Sequence, residues 1–256
     1  MEYILELKKL SKHFGGLAAV NDVDFRAPSG IITSIIGPNG AGKTTMFNLI
    51  TGFHIPTSGE VRFEGQTITG ARPFQLTSRG IARTFQTTNY FSEKTVEQNL
   101  MVGRHVKQRA RLWHILARSS TYRREEQELR HKAQEVMEFL DIKAFSNDLA
   151  KEVPTVVKQL LAIGMALMSE PRLLLLDEPT SGMTAEEMAR LMSLIHDIRD
   201  RGTTVILIEH RMKMVMGISE HIMVLNFGEK IAEGTPEQIR KNSTVIQAYL
   251  GKEYVI

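Results

Sequence analysis

The pattern of hydrophobic and polar residues predicts that the first third of the chain is rich in β-strands. Short strand-like runs cover residues 3–10, 20–25 and 59–63, the last with clear alternation. A nearly continuous apolar run covers residues 31–36. Such a run, bounded by glycines, is typical of a buried strand.

Helical patterns follow at several places. A helix is predicted at 43–51, because its apolar residues fall on one stripe and Gly52 provides a C-terminal signal. Three later helices are predicted after capping boxes, in which a threonine hydroxyl and a side chain three residues on satisfy free amides of the first turn. These threonines are Thr95, Thr184 and Thr235.

Two further strands are predicted in the second half of the chain, at 173–176 and 204–208. In the sequence they lie on either side of the predicted helix that begins after Thr184 and ends at Gly202. Strands that alternate with helices along a chain predict an α/β core.

The domain organisation follows from one long helical stretch. Residues 104–132 are rich in Lys and Arg, and the stretch that continues to Leu140 has helical spacing in Leu129, Ala133, Val136 and Leu140. We therefore expect a single domain over 1–256, with a core at about 1–87 and 166–256 and a helical subdomain at about 88–165.

Composition and charge exclude several classes of protein. The chain has 256 residues, 42% hydrophobic and 24% charged, which is ordinary for a globular domain. The formal net charge of +3 is small for this length and does not indicate a nucleic-acid partner. Because there is no cysteine, a disulfide framework, a zinc–thiolate cluster and a thiol nucleophile are excluded.

The sequence also bears on location. No window approaches the roughly 18 uncharged apolar residues of a membrane-spanning helix. Glu2 and Glu6 lie where a secretion signal has basic and then apolar residues. We expect a cytoplasmic chain that neither crosses a membrane nor is exported, so that any work at a membrane requires other subunits.

The strongest chemical signal is a glycine-rich segment between an apolar strand and a helix. It matches G-x-x-x-x-G-K-[ST], a loop whose backbone amides bind phosphate oxygens. Lys43 is expected to hold the β- and γ-phosphates, and Thr44 to offer its hydroxyl to Mg²⁺. Such a loop alone fits kinases, GTPases and many ATPases, and the residues expected to bind the nucleotide here are Gly37, Pro38, Asn39, Gly40, Ala41, Gly42, Lys43, Thr44 and Thr45.

Two carboxylates end the leucine-rich strand at 173–176. An acidic pair in such a place is unfavourable unless it serves an ion. Asp177 is predicted to organise the Mg²⁺ shell, and Glu178 to polarise an attacking water as the catalytic base. The alternative, that these acids only cap the next element, is weaker for Asp177 than for Glu178.

Together with Gln86 in the run RTFQ and His210 in the run ILIEH, these motifs resemble those of ABC transporter nucleotide-binding domains, over about residues 5–250. The resemblance implies a P-loop NTPase fold with an antiparallel β subdomain and an inserted helical subdomain. It implies that Gln86 contacts Mg²⁺ and the water, that His210 contacts the γ-phosphate, and that Phe14 stacks on adenine. The implied cofactors are ATP and Mg²⁺.

Within that family the chain resembles the branched-chain amino acid importers in three runs, at 14–22, 49–53 and 80–86, and their urea and amide relatives at 164–168 and 181–184. The resemblance implies an ATPase that energises import of such solutes at the cytoplasmic face of the inner membrane. The implied partners are two transmembrane permease subunits, a second ABC ATPase subunit and a solute-binding protein. No nucleic acid is expected.

One segment departs from the family pattern. Where the ABC signature is usually close to L-S-G-G-Q, residues 153–159 read VPTVVKQ, and Gly164 is the only glycine between Gly103 and Gly182. Val156 takes the place of the signature glycine, so close backbone approach to a phosphate is hindered. Each ABC site joins one subunit's phosphate loop to the other's signature. We therefore expect one impaired half-site and a heterodimer with a partner whose signature is intact.

Two alternatives stay open on the sequence alone. A soluble ABC ATPase acting on nucleic acid or the ribosome is favoured by the basic stretch at 104–132, but the tandem domain or long coiled coil typical of such proteins is lacking. A regulatory nucleotide-binding subunit impaired in hydrolysis is favoured by the altered signature. Glu178 and His210 argue against it.

Overall fold

The computed structural model describes residues 2–84, 90–104 and 120–250. The strands of this part of the chain are β1 (Tyr3–Phe14), β2 (Leu17–Pro28), β3 (Ile32–Ile36), β4 (Ser58–Phe63), β5 (Gln66–Thr67), β6 (Ile81–Arg83), β7 (Leu173–Asp177), β8 (Thr204–Ile208), β9 (His221–Asn226) and β10 (Glu229–Gly234). Its α-helices are α1 (Lys43–Ile50), α2 (Pro73–Ser78), α3 (Val96–Gly103), α4 (Ser120–Phe139), α5 (Thr155–Leu167), α6 (Ala185–Asp200), α7 (Met212–Ile218), α8 (Pro236–Lys241) and α9 (Ser243–Leu250). Among these described helices, none combines the length and apolar character needed to cross a bilayer.

The strands form two sheets. An antiparallel sheet has the order β2-β1-β4-β5, and a larger sheet has the order β10-β9-β3-β8-β7-β6. In the larger sheet β9, β3, β8, β7 and β6 run parallel, and β10 is antiparallel at the edge. The predicted α/β fold class with an antiparallel β part is confirmed.

The first hairpin extends beyond the strands that the sequence predicts. β1 and β2 remain paired as far as Phe14 and Leu17, across a turn formed by Gly15 and Gly16. Gly15 has φ +59°, which a glycine adopts without steric cost at the first position of a two-residue hairpin turn. The small and polar residues beside this turn do not alternate, so the pattern alone ends the strands too early.

Burial on both faces explains the leucine run of β7. Leu174 and Leu176 pack in a cluster with residues of α3, α4, α5 and α6. Leu173 and Leu175 pack on the opposite face, in a cluster formed mainly by the antiparallel sheet and α1. Neither face of this strand is in contact with water, and every side chain before Asp177 is therefore apolar.

Helices α3, α4 and α5 pack closely around one glycine. A Cβ on Gly164 would lie 2.7 Å from side-chain atoms of both Leu100 in α3 and Leu140 directly after α4. The capping boxes predicted at Thr95, before α3, and at Thr184, before α6, are formed. Most of the basic stretch at 104–132, including Trp113, lies outside the described residues or side chains.

The carboxyl ends of β3, β8 and β7 meet at one edge of the larger sheet. Ile35 of β3 pairs with Ile208 of β8, and Ile208 pairs with Asp177 of β7. The segments that leave these strands therefore begin side by side. In open α/β sheets this edge is where ligands bind.

Candidate nucleotide site

The loop after β3 requires glycine where it approaches other backbone. Gly37 and Gly42 have φ of +154° and +100°. A Cβ would lie 2.1 Å from the carbonyl oxygen of Leu225 at Gly37, and 2.3 Å from that of Ala19 at Gly42. Because no real Cβ approaches an atom so closely, neither position accepts another residue without a shift of backbone. The loop leads directly into α1, whose N-terminal amides favour an anion.

Lys43 begins α1 and is buried. Its Nζ donates to the carbonyl oxygens of Gly37, at 2.8 Å, and Pro38, at 3.0 Å. The ammonium therefore lies within the loop, where anionic oxygens bound by the loop amides would meet it. Thr44 is exposed and Thr45 is half-buried beside it.

Asp177 lies at the end of β7 in a buried ion pair. Its Oδ2 is 2.8 Å from the guanidinium of Arg83, and the two side chains are 3% and 5% exposed. Arg83 also donates to Asn48, at 2.7 Å, and to Thr51, at 3.1 Å. Oδ1 of Asp177 is buried and has no hydrogen-bond partner among the described residues. An acceptor oxygen is thus left for a ligand.

Glu178 follows with an unusual backbone. Its φ is +48°, a left-handed conformation that costs a non-glycine residue about 1–2 kcal/mol. Its amide donates to the carbonyl oxygen of Ile208 at 3.0 Å, which fixes it to the end of β8. Its Oε2 is 3.9 Å from Nδ1 of His210, and the His210 ring is exposed. Strained backbone of this kind is concentrated at functional sites.

Glu209 links the two segments that carry these groups, and the sequence analysis did not identify it. Its side chain is fully buried. Oε1 accepts from the amide and the hydroxyl of Thr180, and Oε2 accepts from the amides of His210, at 3.0 Å, and Arg211, at 3.1 Å. The sequence did contain a signal for this residue, because Glu209 is an acid directly after the apolar run of β8.

A cleft of about 430 Å³ opens at this edge of the sheet. It brings together many of the predicted residues with others from β2 and the β9–β10 turn. Phe14 is 46% exposed in it, with its ring centroid 5.4 Å from that of His54. Gln86 lies outside the described residues. The cleft is lined by Phe14, Leu17, Ala18, Ala19, Asn39, Gly40, Ala41, Gly42, Lys43, Thr44, Thr45, Glu178 and Phe227.

The segment at 153–159 forms the start of α5. The helix begins after Pro154, and no side chain caps its N-terminus. Val156 is half-buried and packs on the apolar cluster of the helices. The side chain of Gln159 donates to the carbonyl oxygen of Ser181, which ties this segment to the chain that follows Glu178.

The last described helix, α9, packs in a cluster with the end of β3, directly before the phosphate-binding loop. Burial raises the pKa of Tyr249 to about 12, and the neighbouring backbone of Gly37 acts in the opposite direction. Tyr249 packs with Ile36 and Val224 in an apolar cluster below the loop. The sequence analysis did not identify this contact, because it joins residues at opposite ends of the chain.

Comparison with known proteins agrees with this geometry. A family model described as ABC transporter matches residues 20–181, and one described as Branched-chain amino acid ATP-binding cassette transporter matches residues 229–255. The chain is similar to the high-affinity branched-chain amino acid transport ATP-binding protein BraF of Pseudomonas aeruginosa, with 42% identity, covering 97% of this chain and 98% of the relative.

Two further similarities are as extensive. The high-affinity branched-chain amino acid transport ATP-binding protein LivG of Escherichia coli K12 is 40% identical, over 97% of this chain and 98% of its own length. The crystal structure of a nucleotide-free ATP-binding cassette from an ABC transporter matches with a TM-score of 0.85 and 33% identity, over 97% of this chain and 99% of that one. The chain therefore belongs to the ABC transporter family, as an ATP-binding cassette of the branched-chain amino acid type.

Proposed function

We propose that this chain hydrolyses ATP to energise an importer of branched-chain amino acids or related small polar solutes. The observation that carries the proposal is the convergence of the phosphate loop, Asp177, Glu178 and His210 at one edge of the sheet. The relatives, whose names give transport of branched-chain amino acids, support the substrate class. They give no support to a nucleic-acid or purely regulatory role.

The phosphate loop and Lys43 would bind the triphosphate. Lys43 Nζ already lies against loop carbonyls, so it needs little movement to reach phosphate oxygens. Phe14 presents an exposed ring at the same cleft, and a phenyl face can stack on adenine without a hydrogen bond. The cleft volume lies in the usual range for small-molecule sites.

Asp177 and Thr44 would hold Mg²⁺, with Gln86 as a third ligand that the family resemblance implies. The buried Oδ1 of Asp177, which has no partner among the described residues, fits an oxygen ligand of a hard cation. Mg²⁺ is typically bound by one or two carboxylates and by substrate phosphates. When bound, it would neutralise charge that develops on the phosphates.

Glu178 would orient and deprotonate the attacking water. Its backbone is fixed to β8 through Ile208, and its carboxylate faces the cleft. His210, 3.9 Å away, would contact the γ-phosphate and keep the carboxylate in place. The short distance between base and histidine means that both can act on one phosphate and one water.

The complex would contain two transmembrane permease subunits, a second ABC subunit and a solute-binding protein, and would lie at the cytoplasmic face of the membrane. The altered signature favours a heterodimer. At 153–159 the serine and glycines of the usual motif are replaced, and Val156 packs against the helices. This chain would contribute a complete phosphate loop and catalytic acid to one site and a weak half-site to the other.

The test is ATP hydrolysis and leucine uptake by the complex that is purified with this chain and reconstituted in vesicles. Glu178→Gln should reduce hydrolysis by about 10² to 10⁴ fold, the usual contribution of a general base, and retain ATP binding. Glu152→Gln, the same change at an exposed position, is the control. Wild-type turnover by Glu178→Gln would disprove the assignment of the base.

The same complex tests the heterodimer. The equivalent change in the partner cassette should reduce hydrolysis less than Glu178→Gln does here, because the partner's loop faces the weak signature. Equal losses, or rapid turnover by this chain alone, would contradict the asymmetry.

A further inference from the structure

We propose that Phe227, in the turn between β9 and β10, forms part of the wall that holds the base of the bound nucleotide. This inference rests on the proposed nucleotide site. It adds a second aromatic residue to Phe14 and makes the β9–β10 turn a part of nucleotide recognition.

The first observation is that folding does not explain a phenylalanine at this position. Phe227 is 78% exposed, the most of any large apolar side chain among the described residues. Its φ is +47° and that of Gly228 is +82°, so both residues of the two-residue turn are left-handed. Asn, Asp and Gly are favoured at the first of these positions, and an aromatic residue is strained there. The ring gains little burial in return.

The second observation is that the turn is fixed to the phosphate loop. The amide of Gly228 donates to the carbonyl oxygen of Ala41 at 3.0 Å, and its carbonyl oxygen accepts from the amide of Asn21 at 2.8 Å. A Cβ on Gly228 would lie 3.0 Å from the carbonyl oxygens of both Ala18 and Ala19. The position of the neighbouring Phe227 backbone is therefore set relative to the atoms that would bind phosphates.

The third observation is that two kinds of residue line the cleft. The loop, Lys43 and Glu178 bring polar groups that suit phosphates and water, whereas Phe14, Leu17 and Phe227 bring large apolar side chains. A nucleotide likewise has two kinds of group, a charged triphosphate and a planar base. Aromatic rings attract a base by stacking, without hydrogen bonds. The apolar side chains of the cleft thus match the base.

The inference is tested by comparing two ligands of the purified full-length chain, by calorimetry in buffer without Mg²⁺. ATP has a base, and inorganic tripolyphosphate has only the phosphates. Phe227→Ala should weaken ATP binding by about fivefold or more, the low end of base–aromatic stacking, and leave tripolyphosphate binding unchanged. Phe227→Tyr should retain ATP affinity. Phe74→Ala, at a position that is 59% exposed on α2 and does not line the cleft, is the matched control.

A second variant separates recognition from folding. Phe227→Asn replaces the ring by a residue that accepts the left-handed conformation, so it should unfold at the same or a higher temperature than the wild type while it loses ATP affinity. Unchanged ATP affinity in both variants would overturn the inference, as would equal weakening of ATP and tripolyphosphate. If the wild-type chain bound neither ligand, the proposed nucleotide site itself would be wrong.

Discussion

Replacement of Glu209 by glutamine should destabilise the protein but leave its phosphate loop formed. The carboxylate is fully buried and accepts four hydrogen bonds, two from Thr180 and two from the amides of His210 and Arg211. Glutamine offers one oxygen, which can serve one of these pairs. Its NH₂ group can then face the Thr180 pair, where the hydroxyl can turn and accept, so that only the Thr180 amide loses its acceptor.

The size of the effect follows from that count. One buried donor without an acceptor costs about 1–3 kcal/mol, so Glu209→Gln should lower the free energy of unfolding by about 1–3 kcal/mol. For a domain of this size that corresponds to a fall in Tm of roughly 2–12 °C. Because Glu209 positions the segments of Glu178 and His210, hydrolysis should fall more than ATP affinity.

Thermal unfolding followed by circular dichroism measures the first effect, and calorimetry with a turnover assay measures the second. The exposed Glu152→Gln variant again controls for the loss of one carboxylate. A Tm within about 1 °C of the wild-type value would refute the reasoning, because it would mean that the four bonds contribute nothing that an amide cannot replace.

Two further predictions concern packing and pH. Gly164→Ala should lower the free energy of unfolding by about 1–3 kcal/mol, since its Cβ would overlap Leu100 and Leu140. Urea unfolding measures this change. The control is Gly16→Ala, whose Cβ meets nothing within 4 Å and which should have little effect. The raised pKa of Tyr249, about 12, means that its phenol favours the folded state up to about pH 10 and that this contribution is lost as pH rises towards 12. The stability of the wild type relative to Tyr249→Phe, measured by urea unfolding, should therefore fall between pH 9 and pH 11, and a constant difference would contradict the assignment.

The parts of the fold that the sequence predicts are those determined by local interactions. A capping box lies within four residues, and the phosphate loop within eight, so Thr95, Thr184 and the segment from Gly37 to Thr44 could be identified without tertiary information. The leucine run of β7 could be identified because it is buried on both faces. The boundary of the helical subdomain and the roles of the individual site residues stay predictions.

The residues that were missed depend on contacts between distant parts of the chain. Gly228 bonds to Ala41 and places Phe227 at the cleft, although most of the chain separates them in sequence. Tyr249 packs in a cluster with Ile36, directly before the loop, in the same way. Such residues have no local pattern, and only the folded chain brings them to the site.

The ion pair between Arg83 and Asp177 affects how the protein folds and stays folded before a ligand binds. A buried carboxylate without a counter-charge costs several kcal/mol, and a chain that relied on a metal for this charge would fold only in its presence. Here Arg83 supplies the positive charge from within the chain and is itself held by Asn48 and Thr51. The central sheet can therefore form while the nucleotide site is empty, without a metal to neutralise Asp177.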